Sequence, residues 1–497
     1  MAQSRDLTRR GFLTLAGSAL ATSALAACSS PAAQSSPTAN PATAPNQAPK
    51  PSAPADAAKP AQTAGPRPVV PKAAAGSLRS VQMTVCMSSG PQAEIHTRNA
   101  PLFTPYTQGK VTVVVDVLPR NTGEQVWLTK MQAQSSEWDA VQEQASRFPM
   151  SAPAGFLVPL SKFMNNRDLF DAEAYDLNDF PQAELDTYRH NGELYAFPQE
   201  MSALMFFYRK DLLDKWGIKA PGPDGYSWEE LHETSLAVQE KIKSAGMADT
   251  FALTWGGIAG QARHLYSHVS WGMGNEFMAD DSKVKINSES AIKAMELVND
   301  LIFKDKVVSP AVIGYNLEEV NAAYGKGKAV MAIQWNAAAP AILDPQTSPD
   351  AAAGTAFSIF PYWKSVGSKQ SRVQANVHAT AVSAFSKNPE EAFAYAAWFT
   401  SKEVAREYVM QGGGSSGRQS LLGDPEILKK NPQYDALKRS GLVYHGIPRS
   451  AYYSYILTNV IGPNVNAAFA GKAPMKECLD AAQADAVSYL KQSGVQL

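Results

Sequence analysis

Several residue sets in this 497-residue chain have types and spacings that could do chemistry. Gly412-Gly413-Gly414-Ser415-Ser416-Gly417 satisfies G-x-G-x-x-G, and Gly413-x-Ser415-x-Gly417 within it spells a nucleophile elbow. A dinucleotide loop must join a strand to a helix, so that the helix N-terminus meets the pyrophosphate; an activated serine needs the same setting. Here the loop follows a helical stretch, 391–410, and no helix opens directly from it. A flexible loop is expected, with no cofactor. Gly325-Lys326-Gly327-Lys328 lacks the Ser/Thr and the spacing of a phosphate loop. His264 and His268 could share a helix face, but no Glu sits between them as in a zinc-protease helix and no third ligand is in view, so no metal is expected. Asp139, Glu143 and Glu200 are available as an acid pair for glycoside hydrolysis, a pair defined by separation in space. A secreted carbohydrate-acting hydrolase therefore stays open as an alternative.

The positive signal is aromatic and polar together. Nine tryptophans are present, and several stand beside small or amide residues: Thr254-Trp255-Gly256-Gly257, Ser270-Trp271-Gly272, Gln334-Trp335-Asn336 and Pro361-Tyr362-Trp363. An aromatic face covers the apolar face of a sugar ring while amides and hydroxyls meet its hydroxyls. Trp216, Trp228 and Trp398 fall on helical spacing and read as core. Trp335 is the strongest candidate, because a strand over 329–333 ends in Gln334 and Asn336 around it.

These residues need elements to hold them. Val81–Met87, Val111–Val117 and Trp138–Val141 read as strands, with a helix over 124–134 between the second and third. Such alternation predicts an α/β sheet. Asn191–Pro198 reads as a hairpin-like turn leading into an apolar run, Ala203–Tyr208. Ser227-Trp228-Glu229-Glu230 fits a capping box. Asn287 or Ser288 caps a helix with Ile292, Met295, Val298 and Ile302 on one face, and Asn388-Pro389 opens another. The stretch 467–491 reads as a helical, alanine-rich end. Cys86 and Cys478 read as two separately buried thiols.

Charge is balanced overall at −1, but unevenly spread. Residues 1–28 carry +2 (Arg5, Arg9 and Arg10 against Asp6) and residues 29–78 carry +3 (Lys50, Lys59, Arg67 and Lys72 against Asp56), so the remainder is near −6. A mildly acidic body argues against nucleic acid as a partner. The length favours two domains. Residues 29–78 hold 11 of the 33 prolines among Ala, Ser, Thr, Gln and Lys, which predicts a disordered, partly extended tether, with the folded part starting near Leu78. The first 27 residues combine Arg9-Arg10 with an apolar run shorter than the about 20 residues a membrane-spanning helix needs. Thr8-Arg9-Arg10-x-Phe12-Leu13 resembles the twin-arginine export pattern. Leu25-Ala26-Ala27-Cys28 resembles the bacterial lipoprotein box, in which the Cys becomes the lipidated first residue.

Four further segments, in order over residues 190–405, carry a family resemblance. Asn191-Gly192-Glu193-Leu194-Tyr195-Ala196-Phe197-Pro198 resembles the "G-x-x-Y-A-x-P" segment of bacterial extracellular solute-binding proteins of the sugar-binding type, the maltose-binding-protein-like capture subunits of ABC importers. Phe207-Tyr208-Arg209-Lys210-Asp211-Leu212-Leu213, continuing through Gly217-Ile218 and Pro221 to Ser227-Trp228-Glu229-Glu230-Leu231, is similar to that family's "Y-N/R-K-D-L-L-x-x-x-G-I … P … T-W-E-E-L". Tyr324-Gly325-Lys326-Gly327-Lys328-Ala329-Val330-Met331 resembles "F-x-x-G-K-A-A-M". Ser386-Lys387-Asn388-Pro389-Glu390-Glu391-Ala392, ending at Thr400-Ser401-Lys402-Glu403, resembles "S-K-N-x-E-A-A … T-S-x-E".

The resemblance implies an α/β fold of the two-lobed periplasmic-binding-protein kind, type II-like, with hinge crossovers and a cleft that closes on ligand. It implies one lobe from 79–204 and 364–412 and another from 205–363 and 413–497. Crossings are expected near Ala203–Phe206, Phe360–Trp363 and Gly412–Arg418. In the last, Ser416-Gly417-Arg418 keeps the Arg and loses the Pro of the family's "P-x-R". The ligand residues it implies are Ser89, Gln144 and Arg147 on the first lobe, with Trp255, Trp335, Asn336, His378, Arg418 and Tyr453 elsewhere. A satisfied structural histidine is the competing reading of His378. The function implied is capture of a sugar or polyol by a monomeric, non-enzymatic lipoprotein, held outside the cytoplasm by Cys28 and delivering to an ABC permease. A ligand-sensing module without transport is the remaining alternative.

Overall fold

Nine strands make the two main sheets of the computed structural model, which describes residues 67–119, 122–281, 283–367, 372–374, 376–440 and 444–497. They are β1 (Val81–Ser88), β2 (Val111–Leu118), β3 (Ala140–Gln144), β4 (Ala196–Ser202), β5 (Leu204–Arg209), β6 (Phe251–Trp255), β7 (Ala329–Trp335), β8 (Thr355–Ile359) and β9 (Asn376–Val382). One sheet has the order β2-β1-β3-β9-β4 and the other β8-β5-β7-β6. The export signal, the lipobox with Cys28 and most of the tether lie outside the described residues.

Burial explains the two kinds of strand. Every residue of β4 and of β7 is buried, although β4 carries Gln199, Glu200 and Ser202 and β7 carries Gln334. The edge strand β2 alternates instead, with Val111 and Val113 buried and Thr112 and Val114 exposed.

Helices cover both sheets: α1 (Gly123–Gln132), α2 (Trp228–Ser244), α3 (Ala259–Gly272), α4 (Glu289–Phe303), α5 (Pro389–Phe399), α6 (Lys402–Met410), α7 (Gly462–Phe469) and α8 (Met475–Gln492). The capping box of α2 is complete: Glu230 N donates to Ser227 Oγ at 3.1 Å and Ser227 N to Glu230 Oε2 at 2.9 Å. Ser288 is the cap of α4, receiving Ala291 N at 3.2 Å. Asn388 precedes α5 but makes no side-chain cap; its amide donates to Asp139 at 3.2 Å.

Local chemistry also divides two helical stretches. Between α5 and α6, Thr400 turns its hydroxyl back to Ala396 O at 2.7 Å and Ser401 adopts an extended ψ. Between α7 and α8, Gly471 takes φ +67° and Pro474 opens the new helix. The body also starts before Leu78. Val69 and Val70 are buried, Pro71–Ala74 is helical, and Lys72 pairs with Glu390 at 2.7 Å. Cys86 and Cys478 are separate, buried free thiols, and burial pushes Cys86 up to about 12. Among the described residues no helix is long and apolar enough to cross a membrane.

Strand direction decides where a ligand could sit. Strands β1, β2 and β3 are mutually parallel; β9 is antiparallel to β3 and β4 antiparallel to β9, so β4 runs with the first three. In the second sheet β5 opposes β7 and β8, while β6 runs with β7. Only Ala203 separates β4 from β5. The carboxyl ends of β1–β4 and of β6–β8 therefore all face the junction between the two lobes, where open α/β sheets bind their ligands.

Candidate ligand-binding site

The junction is tied by a few buried polar groups. Ala203 N donates to Asn336 Oδ1 at 2.7 Å, and Asn336 N returns a bond to Ala203 O at 3.0 Å. Asn336 Nδ2 donates to Ser415 Oγ at 2.7 Å; Ser415 Oγ in turn donates to Met201 O, and Met201 N to Ser415 O at 2.9 Å. One asparagine thus joins the end of β7, the β4–β5 crossing and the loop after α6. That glycine-rich loop is packed tightly: Gly412 and Gly414 take φ +87° and +106°. A Cβ on Gly414 would lie 2.6 Å from Glu200 Oε1, and one on Gly417 2.1 Å from Glu184 Oε2. The loop expected to be flexible is a close-packed crossing, and glycine is required there for contact as well as for conformation.

On the second lobe, Trp255 and Trp335 end neighbouring strands and line one pocket with Leu204, Gly256, Gln261 and Gln334. Trp335 is 7 % exposed and its indole N–H donates to Gln261 Oε1 at 3.0 Å. Its ring meets His264 edge-on at 5.1 Å. Burial, with Arg263 and His268 adding to it, holds the His264 imidazole well below its ordinary value, so this side chain is neutral. Trp255 is nearly fully buried, and its Nε1–H has no hydrogen-bond partner among the described residues. Buried donors are seldom left so.

On the first lobe, Ser89 follows the end of β1 and its N–H bonds Leu118 O at 2.9 Å. Gln144 donates to Ser88 Oγ at 3.3 Å and pairs in register with His378, which pairs in turn with Glu200. His378 Nδ1 lies 3.3 Å from Glu200 Oε2. Ser89, Gln144 and His378 are thus brought to the same end of one sheet.

Three expected ligand residues are placed differently. Arg147 is 2 % exposed: its guanidinium lies 3.8 Å over the Trp127 ring and donates to Glu143 at 3.2 Å, Glu124 at 3.0 Å and Gln142 O at 2.6 Å. Every nitrogen of the Arg418 guanidinium is likewise met, by Thr400 O at 2.9 Å, Tyr175 O at 2.9 Å, and Asp176 O and Asp179 Oδ2 at 3.3 Å. Both arginines are buried, and each has all three guanidinium nitrogens held by acceptors of the protein itself. Tyr453 is fully buried, its ring stacked 6.2 Å from Phe277.

The hydrolase carboxylates are also committed. Asp139 receives Thr84 N, Ser386 Oγ and Asn388 Nδ2 at 2.7 to 3.2 Å. Glu143 and Glu200 are fully buried, and burial pushes Glu143 up despite Arg147. His264 and His268 both lean on Trp335, and among the described residues no group of three His, Cys, Asp or Glu side chains could hold a metal. Sequence reading missed Gln261 in the pocket and Glu124 as the ion partner of Arg147. Gln261 was within reach, since it lies four residues beyond Trp255-Gly256-Gly257, at the start of the helix that follows β6. Glu124 had no signal beyond its place in the first turn after β2.

The geometry agrees with known proteins. The profile of the bacterial extracellular solute-binding protein family matches residues 90–406, more than half of the chain. Two solved structures share the fold. A solute-binding protein of Agrobacterium radiobacter K84 in complex with ribitol has a TM-score of 0.73 at 23% identity, covering 83% of this chain and 99% of that one. Maltose-bound MalE3 of T. maritima has a TM-score of 0.71 at 20% identity, covering 82% and 99%. Among curated relatives, binding proteins of Brucella abortus are 29% identical over 143 residues, 29% of this chain and a third of theirs. The arabinooligosaccharide-binding protein of Bacillus subtilis is 24% identical over 264 residues, 52% of this chain and 57% of its own. The chain thus spans between a third and a little over half of the curated relatives it matches. A cleft at the carboxyl ends of two sheets, joined by crossings and matched by this profile over most of the body, places the chain in the family of bacterial extracellular solute-binding proteins, which bind solutes and do no catalysis.

Proposed function

We propose that this protein captures an uncharged sugar or polyol between its lobes and hands it to an ABC-type permease. The observation that carries the reading is the pairing of walls at the junction. The indole surfaces of Trp255 and Trp335 with Gln261 stand on one lobe, and Ser89, Gln144 and His378 on the other. Aromatic faces take the apolar side of a sugar and amides its hydroxyls, while among the described residues the junction offers no free guanidinium cluster of the kind a phosphorylated ligand wants. Similar proteins support the class: solved structures of the fold hold ribitol, D-mannitol, α-D-tagatose and maltose. Closure is a population shift, since only the closed arrangement surrounds the solute. Cys28 acts as a lipid anchor after export by the twin-arginine route, and the residues that follow tether the receptor near its permease at high local concentration. The test is a thermal-shift panel of ribitol, D-mannitol, D-tagatose, maltose and arabino-oligosaccharides. A ligand at 100 times its Kd should stabilise by about 2.7 kcal/mol; a panel with no shift removes the assignment.

A further inference from the structure

Beneath the glycine-rich crossing lies a carboxyl with nothing to bond. Glu184 stands in the short helix Gln182–Thr187 of the first lobe and is 1 % exposed; among the described residues neither of its oxygens has a hydrogen-bond partner. Buried polar atoms are seldom left so. Gly417 covers the group so closely that a Cβ there would lie 2.1 Å from Oε2. The charged groups of the surrounding elements are engaged elsewhere. On the crossing, Arg418 is held by Thr400 O, Tyr175 O, Asp176 O and Asp179. On β4, Glu200 meets Gly414 and lies 3.3 Å from His378. At the end of the helix itself, Asp186 pairs with Arg189 at 3.4 Å, and Tyr188 donates to Glu143 O at 3.3 Å. On β3, Glu143 pairs with Arg147 at 3.2 Å. Burial without a counter-ion pushes the Glu184 carboxyl well above its ordinary value. The same helix also touches the second lobe: Arg449 Nη2 donates to Asp186 O at 3.1 Å. The Arg449 loop belongs to that lobe, since Tyr452 beside it meets Tyr489 of α8 at 6.1 Å and Tyr453 stacks on Phe277.

We propose that Glu184 is a proton-operated catch on the third crossing, 412–418. With the proton in place, the crossing lies against the helix and Arg449 of the second lobe reaches Asp186. Without it, the carboxylate must take up water, because an unpaired buried charge costs far more than a buried neutral acid. The helix is held from behind, where the Tyr188 ring packs edge-on against Phe148 at 5.3 Å and its hydroxyl is tied to β3. The face that Gly417 covers is the one that gives, since lobes turn about a few residues of their crossings. Closed lobes are therefore favoured at acid pH and open as pH rises, and a bound solute is let go with them. That last consequence rests on the junction being the solute site; the catch itself does not.

The experiment reads lobe opening on the full chain with and without Glu184→Gln, which keeps the shape and cannot ionise. Nitroxides on Lys162→Cys of the first lobe and Lys293→Cys of the second, both exposed positions, report the distance between lobes by electron–electron resonance in a Cys28→Ser background. Without solute, the distance in the parent protein should lengthen between pH 5 and pH 9, and in the Glu184→Gln protein it should stay short. An unchanged distance in the parent, or an equal lengthening in both, overturns the catch. Calorimetry with whichever of ribitol, D-mannitol, D-tagatose or maltose gives the largest melting shift supplies the second reading. The parent Kd should rise about fivefold or more over the same range, because the closed state holds the proton more tightly, and the variant Kd should stay level. If no probe binds while the distance follows the Glu184 proton, the solute reading fails and the catch stands. If a probe binds and neither distance nor Kd distinguishes the two proteins, the catch alone fails. Should Glu184→Gln not fold, Glu184→Met replaces it, since that side chain has no polar atom to satisfy.

Discussion

Asn336→Ala is the sharpest single perturbation of the junction. The side chain is 1 % exposed and makes two hydrogen bonds, each 2.7 Å long, to Ala203 N and to Ser415 Oγ. Each buried hydrogen bond is worth about 1 kcal/mol net, and an orphaned buried N–H adds about 1–3 kcal/mol. Ser415 keeps its bond to Met201 O, so its loss is partial, whereas Ala203 N–H loses its acceptor outright. Together these give a destabilisation of about 2–4 kcal/mol. The assay is urea unfolding followed by tryptophan fluorescence and by far-ultraviolet circular dichroism, compared at equal m-value. Because the same residue ties the β4–β5 crossing to the glycine-rich loop, solute affinity should fall with stability. A loss below about 0.5 kcal/mol, the range of an ordinary surface change, refutes the argument that these bonds hold the crossings together.

Other outcomes follow from the same packing. Gly417→Ala sets a Cβ 2.1 Å from the buried Glu184 carboxyl, so overpacking should cost about 1–3 kcal/mol or more; a neutral result in chemical unfolding contradicts the close approach. Glu184 is fully buried and burial pushes its carboxyl well above the ordinary 4.5. The folded state therefore keeps a proton that the unfolded chain releases, and this group's contribution is complete below pH 4.5 and is lost as pH rises toward the folded value. Glu184→Gln should accordingly flatten the fall in stability as pH rises above 4.5, and an unchanged pH profile would show that Glu184 is not buried as a neutral acid. Trp335→Ala should cost about 3–5 kcal/mol in stability through the cavity it leaves, besides weakening solute binding at least tenfold. Trp335→Phe, which keeps much of the volume, should separate the two effects in paired unfolding and calorimetry.

Much of this fold was legible in residue types. The Ser227 capping box, the buried runs ending at Ser202 and Trp335, and the ordered set of segments from Asn191 to Glu403 are all local, so chain order alone reveals them. Trp228 and Trp398 are core as helical spacing implied, while Trp216 is only half-buried. The directions of long side chains were not legible. Arg147 and Arg418 were expected in the cleft but point inward, because their partners Glu124, Trp127, Tyr175 and Thr400 come from distant positions. The early start of the body at Val69 was hidden by its proline-rich surroundings: two valines are too few to register as a strand, yet they are buried against the Asp168–Asp171 segment. The glycine-rich loop misled because glycine there answers to Glu200 and Glu184, carboxylates far away in sequence.

The most direct measurement is a crystal structure grown with the compound that gives the largest melting shift. The account predicts the solute between the lobes, its ring or carbon chain against Trp335 or Trp255 and its hydroxyls on the first-lobe side at Ser89 and Gln144. A solute bound outside that junction, or a junction that stays empty while the compound still stabilises the protein, would contradict it.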